Sequence, residues 1–375
     1  MKNILIFTSI VILSLFSFAG YSQTKEMKII RAKHASVDIR DGKDFRKNTW
    51  IIEPETKPDV YNTIAEEKRV TFYTDMDSIS FDVKPNETYD FIILLNDKDS
   101  AWTQIKTDQP NYLKRLKNAA EYNYSDTREI PQWTYQDMND PNLVKLRQEY
   151  NLDSIAGDKD ELTKILNLMY WLHDLVPHDG SSSNPKPRNA LNILKVCKEE
   201  KRGVNCRMLA TVLNECYLAM GIKSRFVTCM PKDSVFEDCH VINSVYSSEL
   251  DKWIWIDPSF AAYVMDEHGN FLGLQEVRER LIDDRPLFLN EDANWNHKNK
   301  QTKEFYLDYY MAKNLYRMEC TFNSEFDTET NDISKQRVYI ELLPLDGLKQ
   351  SPRKKVDGRF VNYITNNPDL FWAKP

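Results

Sequence analysis

The sequence predicts an α+β protein with a separate N-terminal β domain, and three observations carry that prediction. Up to about residue 105 the apolar residues recur with the two-residue period of strands. In the middle, Met208, Leu209, Val212, Leu213, Cys216, Tyr217 and Met220 recur at helical spacing. Directly after them come strand-like runs, Ile222 to Met230, His240 to Tyr246 and Trp253 to Asp257. At 375 residues the chain is also too long for one ordinary core.

The elements follow in order. Lys2 precedes an apolar run from Ile4 to Ala19, and Gly20, Tyr21, Ser22 and Gln23 come next. A charged start, an apolar middle and a small-residue exit read as a secretory signal peptide over residues 1–22, cleaved near Ser22. An uncleaved anchor is the alternative, but the run is short for a membrane span. The mature protein is therefore expected to be exported, periplasmic or secreted, with no stable membrane insertion. Residues 23–105 are expected to form a β-sandwich-like domain. Ile79, Phe81 and Val83 alternate with Ser80, Asp82 and Lys84; Pro85-Asn86-Glu87 then turns the chain into Tyr89 to Leu95. That pattern reads as a hairpin with one buried face. Residues 106–150, polar and broken by Pro110, Pro131 and Pro141, read as a connector.

A catalytic domain is expected over 151–300. Leu162, Ile165, Leu166, Leu168 and Met169 give a helical stripe ending near Leu175, ahead of Pro177, and Ala190 to Val196 suits a short helix. The next helix has Asn205 as its natural cap and Gly221 as its natural stop. Residues 301–375, strand-like near 317–322 and 337–343, read as an extension packed on that core.

Composition narrows the function. A net charge of −7 gives no reason to expect nucleic acid as a partner. The chain has ten glycines and neither GxGxxG nor a Walker pattern, so no phosphate-cradling loop is expected. Cysteines stand at 197, 206, 216, 229, 239 and 320. If Cys206 works as a thiol, five remain, an odd number that cannot all pair. One bridge, for example Cys229–Cys239, stays open.

Cys206, His240 and Asp257 carry the chemistry. Gly203-Val204-Asn205-Cys206-Arg207 runs straight into the helix, which puts the thiol in its first turn. An ordinary thiol titrates near 8.5, and the positive end of a helix and a neighbouring imidazolium both lower that value. First-turn backbone N–H groups have no intrahelical acceptor, so one beside the nucleophile can serve an oxyanion. The runs bearing His240 and Asp257 flank a six-residue loop, 247–252. Symmetric pairing about it makes partner numbers sum to about 499, which sets Asp257 opposite Ile242 with His240 as its diagonal neighbour on the same face. A carboxylate there can orient the imidazole and favour its charged form. Taken singly, such a Cys is more often a small core residue and an Asp before Pro a turn former; together they are the parts of an acyl-transferring cysteine enzyme.

The chain resembles the transglutaminase-like superfamily of papain-type cysteine enzymes. The likeness lies in Arg202 to Ala210, Met220 to Val227, His240 to Tyr246 and Trp253 to Ser259, within roughly residues 155–265. It implies a Cys-bearing helix packed on an antiparallel sheet, with Cys206 as nucleophile, His240 as general base and acid, and Asp257 as the orienting carboxylate. No cofactor is expected, and the expected substrate is a peptide, protein or cell-wall-like amide. This chain departs from the family in having Ile242 where an aromatic residue is common, and in the loop around Val176-Pro177-His178-Asp179-Gly180. The second oxyanion donor is therefore open between Trp171, His178 and another residue of that loop, with Trp171 the leading candidate.

Other readings compete. His173, His178, Cys229, Cys239 and His240 invite a metal, but CxxC and HxxxH spacings are absent, and Cys239 and His240 point to opposite faces of one strand. No DxDxDG-type calcium loop occurs either. The acyl group could pass to water or to an amine. A non-catalytic exported binding or scaffold protein retaining the fold is the reading from a different class.

Overall fold

The computed structural model describes residues 27–64, 68–85, 87–108, 111–232, 239–330, 332, 334–345 and 354–375. The expected signal peptide lies outside them. No described helix is long and apolar enough to cross a membrane. The chain divides into two compact units, residues 1–110 and 111–375.

In the first unit the strands are β1 (Lys28–Ala32), β2 (Ser36–Asp41), β3 (Asp44–Ile51), β4 (Asp59–Ile64), β5 (Lys68–Tyr73), β6 (Ser78–Val83), β7 (Thr88–Leu95) and β8 (Asp99–Asp108). They form two four-stranded sheets, ordered β1-β7-β8-β4 and β3-β2-β5-β6. Both sheets contribute to one core: Ile30, Phe91, Ile93 and Ile105 from the first, Val37, Ile39, Val70 and Phe72 from the second. The Phe72 and Phe91 rings, 5.2 Å apart, join them. The expected hairpin between β6 and β7 does not form. β6 pairs with β5, whereas β7 lies between β1 and β8 in the other sheet. The apolar run Phe91-Ile92-Ile93-Leu94-Leu95 suits an interior strand with neighbours on both sides, so the chain crosses between sheets near Pro85.

The second unit begins inside what reads from sequence as a connector. Helices α1 (Tyr112–Lys117) and α2 (Pro141–Glu149) replace irregular chain there. Asp140 caps α2, its carboxylate accepting the Asn142 N–H at 2.8 Å, and Pro141 takes the first helical position, where no N–H is needed. α3 (Leu152–Ala156), α4 (Glu161–Leu175), α5 (Ala190–Glu200) and α6 (Cys206–Ala219) follow. α6 is buried on nearly every side, not along one stripe: its contacts include α2, α4 and α5, and strands of the central sheet. Glu215, wholly buried on α6, accepts the Ala190 N–H at 2.7 Å and so holds the start of α5.

The sheet under α6 contains β9 (Ser224–Met230), β10 (His240–Ser247), β11 (Lys252–Ile256), β12 (Arg317–Thr321), β13 (Arg337–Leu342), β14 (Lys354–Asp357) and β15 (Phe360–Thr365). Its order is β11-β10-β9-β12-β13-β15-β14, antiparallel except between β13 and β15. Residues 301–375 are thus more than a covering: they supply β12 to β15. Asn243 of β10 donates to the Ala210 carbonyl at 2.9 Å, pinning helix to sheet. Arg207 donates to Thr228 Oγ1 of β9 at 2.9 Å and fixes the first turn of α6.

One close approach sets the start of α6. Val204 N–H donates to the Pro177 carbonyl at 3.1 Å and Asp179 N–H to the Val204 carbonyl at 2.8 Å, so segments 177–179 and 203–205 run side by side. A Cβ on Gly203 would stand 2.2 Å from the Pro177 oxygen. Gly203→Ala is expected to push the two segments apart and destabilise the unit by about 1–3 kcal/mol, the usual scale for overpacking. Urea unfolding measures it, and a variant as stable as the parent would show that the contact does not constrain the loop.

Candidate active site

The register of β10 and β11 positions the first pair of side chains. Asn243 pairs with Ile256, Ser244 with Trp255 and Val245 with Ile254, partners that sum to 499, the register expected from the connecting loop. Carried one step beyond β11, it brings Asp257 beside His240. His240 Nε2 meets Asp257 Oδ2 at 2.7 Å, and the two side chains are 1% and 0% exposed. Nδ1 of the same ring is left for the thiol of Cys206, with which His240 interacts.

Cys206 opens α6. Asn205 caps the helix, its side chain accepting the Met208 N–H at 3.1 Å. Cys206 packs against a small apolar group, Ala210, Phe226 and Val241, that seats the helix on the sheet. Burial by itself would raise the thiol's pKa. Interaction with His178 and with the His240 ring and its charge more than offsets it and brings the thiol down to about 6. Burial would also lower His240, but the Asp257 carboxylate holds the ring well above its ordinary value. Asp257, which burial would raise, is held below its ordinary value by His240 and by its hydrogen bonds. All three shifts favour an ionised sulfur, a charged imidazole and an ionised carboxylate.

Two further donors complete the carboxylate. Ser259 N–H reaches Asp257 Oδ1 at 2.9 Å, and Tyr306 Oη donates to Oδ2 at 2.6 Å. Tyr306 in turn accepts the Trp255 indole N–H at 3.1 Å. It comes from a π-helix, Glu304–Met311, whose wide turn also brings the Tyr310 ring to 5.2 Å from His240. Sequence reading missed both tyrosines. Phe305-Tyr306-Leu307-Asp308-Tyr309-Tyr310 signals only an aromatic cluster, and a π-helix has no short-range sequence signature that separates it from an α-helix.

The remaining candidates separate. Trp171 packs on the helical core cluster, its ring 6.0 Å from Tyr150. His178 joins the site. Its ring stacks on Phe260 at 6.4 Å, and Phe260 also lies 5.6 Å from the His240 ring. The segment Asn294-Trp295-Asn296 holds this side of the site. Asn294 meets His173 Nε2 at 3.1 Å, Trp295 meets the His178 ring, and Asn296 bonds the His178 backbone. No disulfide forms among the six cysteines. The bridge considered between Cys229 and Cys239 is excluded by the sheet, where Cys229 faces His240 across the ladder and Cys239, one residue earlier, turns the other way.

Among known proteins, residues 148–258 match the model of the transglutaminase-like superfamily, a span containing Cys206, His240 and Asp257. Among solved structures, a Cytophaga hutchinsonii protein provisionally described as a cysteine protease is 18% identical, over 32% of this chain and 42% of its own, with a TM-score of 0.24. Red sea bream transglutaminase is 14% identical, over 62% of this chain and 49% of its own, with a TM-score of 0.24. The chain thus spans less than half the length of either structure. The search of curated proteins returns no match.

Tyr306→Phe removes one of the three donors on the Asp257 carboxylate without emptying the core. Losing a hydrogen bond to a buried charge is expected to cost about 1.5–3 kcal/mol and to weaken the hold on His240. Iodoacetamide alkylation of Cys206 at neutral pH should slow accordingly. An unchanged alkylation rate, read by mass spectrometry, would show that Tyr306 does nothing for the thiol.

Proposed function

We propose, from the premise that residues 148–258 are a transglutaminase-like domain, that the protein is an exported thiol acyl-transfer enzyme in which Cys206, His240 and Asp257 form the catalytic triad. The observation that carries this reading is the buried 2.7 Å contact between His240 and Asp257, with Cys206 beside the same ring at a helix N-terminus. Such a set has a direct chemical use. The thiolate adds to an amide carbonyl, His240 gives its proton to the departing amine, and an acyl-enzyme remains. His240 then takes a proton from the incoming nucleophile, which resolves the thioester and returns the thiolate.

The preferred substrate is an amide bond of a peptide, protein or cell-wall-like polymer, and the preferred acceptor is water, giving hydrolysis. Transamidation is the same chemistry with an amine in place of water. Action outside the cytoplasm is supported by Lys2 and the apolar run that follows it. A scaffold that only keeps the fold has no need to bury a carboxylate and an imidazole beside a half-buried thiol, because each buried charge must be offset.

The test pairs labelling with turnover. Iodoacetamide should modify Cys206 far faster than the other five thiols, and His240→Gln should abolish that preference. Incubation with a peptide library should give products that disappear in Cys206→Ala. Ordinary reactivity of Cys206 in both proteins, with no Cys206-dependent product, favours the binding module. Product mass in the presence of putrescine distinguishes hydrolysis from amine transfer.

A further inference from the structure

We propose that His178 is a second catalytic histidine, supplying the side-chain N–H of the oxyanion hole, and that Trp295 is the positioning residue that keeps the proton of its neutral ring on Nε2. The proposal rests on the acyl-transfer reading above and assigns different work to the two histidines beside Cys206.

His178 is fixed from three directions. Its backbone bridges to Val204, two residues before Cys206, in a parallel pairing. Its N–H donates to Asn296 Oδ1 at 2.7 Å and its carbonyl accepts from Asn296 Nδ2 at 2.9 Å. The ring lies against Phe260, the residue that also touches His240. So many constraints on one loop residue suit a group whose direction matters.

The tautomer follows from the indole. Trp295 Nε1 stands 3.1 Å from His178 Nδ1. An indole N–H can only donate, so Nδ1 must offer its lone pair and the neutral ring carries its proton on Nε2. With Nδ1 occupied by the indole, Nε2 is the nitrogen left to act towards the Cys206 thiol, whose ionisation His178 favours. The donor end of His178 is thus the end free to serve an oxygen that develops charge beside the sulfur. His240 is set the other way, with Nε2 spent on Asp257 and Nδ1 left without a partner.

In the reaction the sulfur lone pair forms the S–C bond and the carbonyl π pair moves onto oxygen. That oxygen becomes an anion next to the sulfur. It meets His178 Nε2–H and the Cys206 backbone N–H, which in the first helical turn lacks an intrahelical acceptor. His178 transfers no proton. The oxygen pair reforms the carbonyl as the C–N bond breaks, and the amine leaves with the His240 proton.

The experiment compares two reactions of the same sulfur in the full chain. Acylation by p-nitrophenyl acetate passes through an oxyanion; alkylation by iodoacetamide does not. At a pH well above the midpoint of the thiol, His178→Ala should lower the acylation rate about 100-fold, the scale for one oxyanion donor, and leave alkylation nearly unchanged. His178→Gln, which restores an N–H, should recover part of the loss. Trp295→Phe should slow acylation less and mix the His178 ring tautomers seen by nitrogen NMR. If both reactions fall in parallel in His178→Ala and His178→Gln, or if acylation persists in both, the assignment is overturned. An unmutated protein that is alkylated but never acylated at Cys206 would overturn the acyl-transfer reading itself.

Discussion

The carboxylate of Asp257, fully buried, is the constraint on which the second unit is organised. An ionised acid out of water costs several kcal/mol unless charge and hydrogen bonds replace its hydration. Here the replacement comes from three places in the chain: the His240 ring, the Ser259 N–H and the Tyr306 hydroxyl. Each closes a different part of the fold around one point. The His240 ring passes the effect onward, because an imidazole held charged beside a sulfur favours the thiolate.

The geometry is delivered by ordinary elements under tight limits. An antiparallel hairpin sets the His240–Asp257 spacing, and a slip of one residue would send one of the two side chains to the opposite face. A capped helix start presents the sulfur, and Gly203 lets segment 177–179 run close enough to bring His178 beside it. The C-terminal residues are integral. They supply strands of the sheet and, through the π-helix, the hydroxyl that completes the carboxylate shell.

Short-range features were readable from the residues. Asn205 and Gly221 mark the ends of α6, and the six-residue loop fixes the hairpin register, because caps and loops act over a few positions. Long-range features were not. Tyr306 meets Asp257 across 49 positions, and Trp295 meets His178 across 117, with no periodicity linking them. The assignment of β6 and β7 to one hairpin failed for the same reason: alternation reveals strands but not which sheet each joins. Trp171 was singled out by residue type alone, and the contact its ring makes with Tyr150, 21 positions earlier, follows from helix packing that no local pattern announces.

The most direct measurement is the titration of the Cys206 thiolate, followed by ultraviolet absorbance as the difference between the unmutated protein and Cys206→Ala. Its pKa is depressed, so the ionised form persists as pH falls until the midpoint is crossed, expected at about 6. Above that midpoint the sulfur is anionic and His240 still protonated. A midpoint near 8.5, the ordinary value for a free cysteine, would contradict the claim that the buried carboxylate and imidazole keep this sulfur ionised.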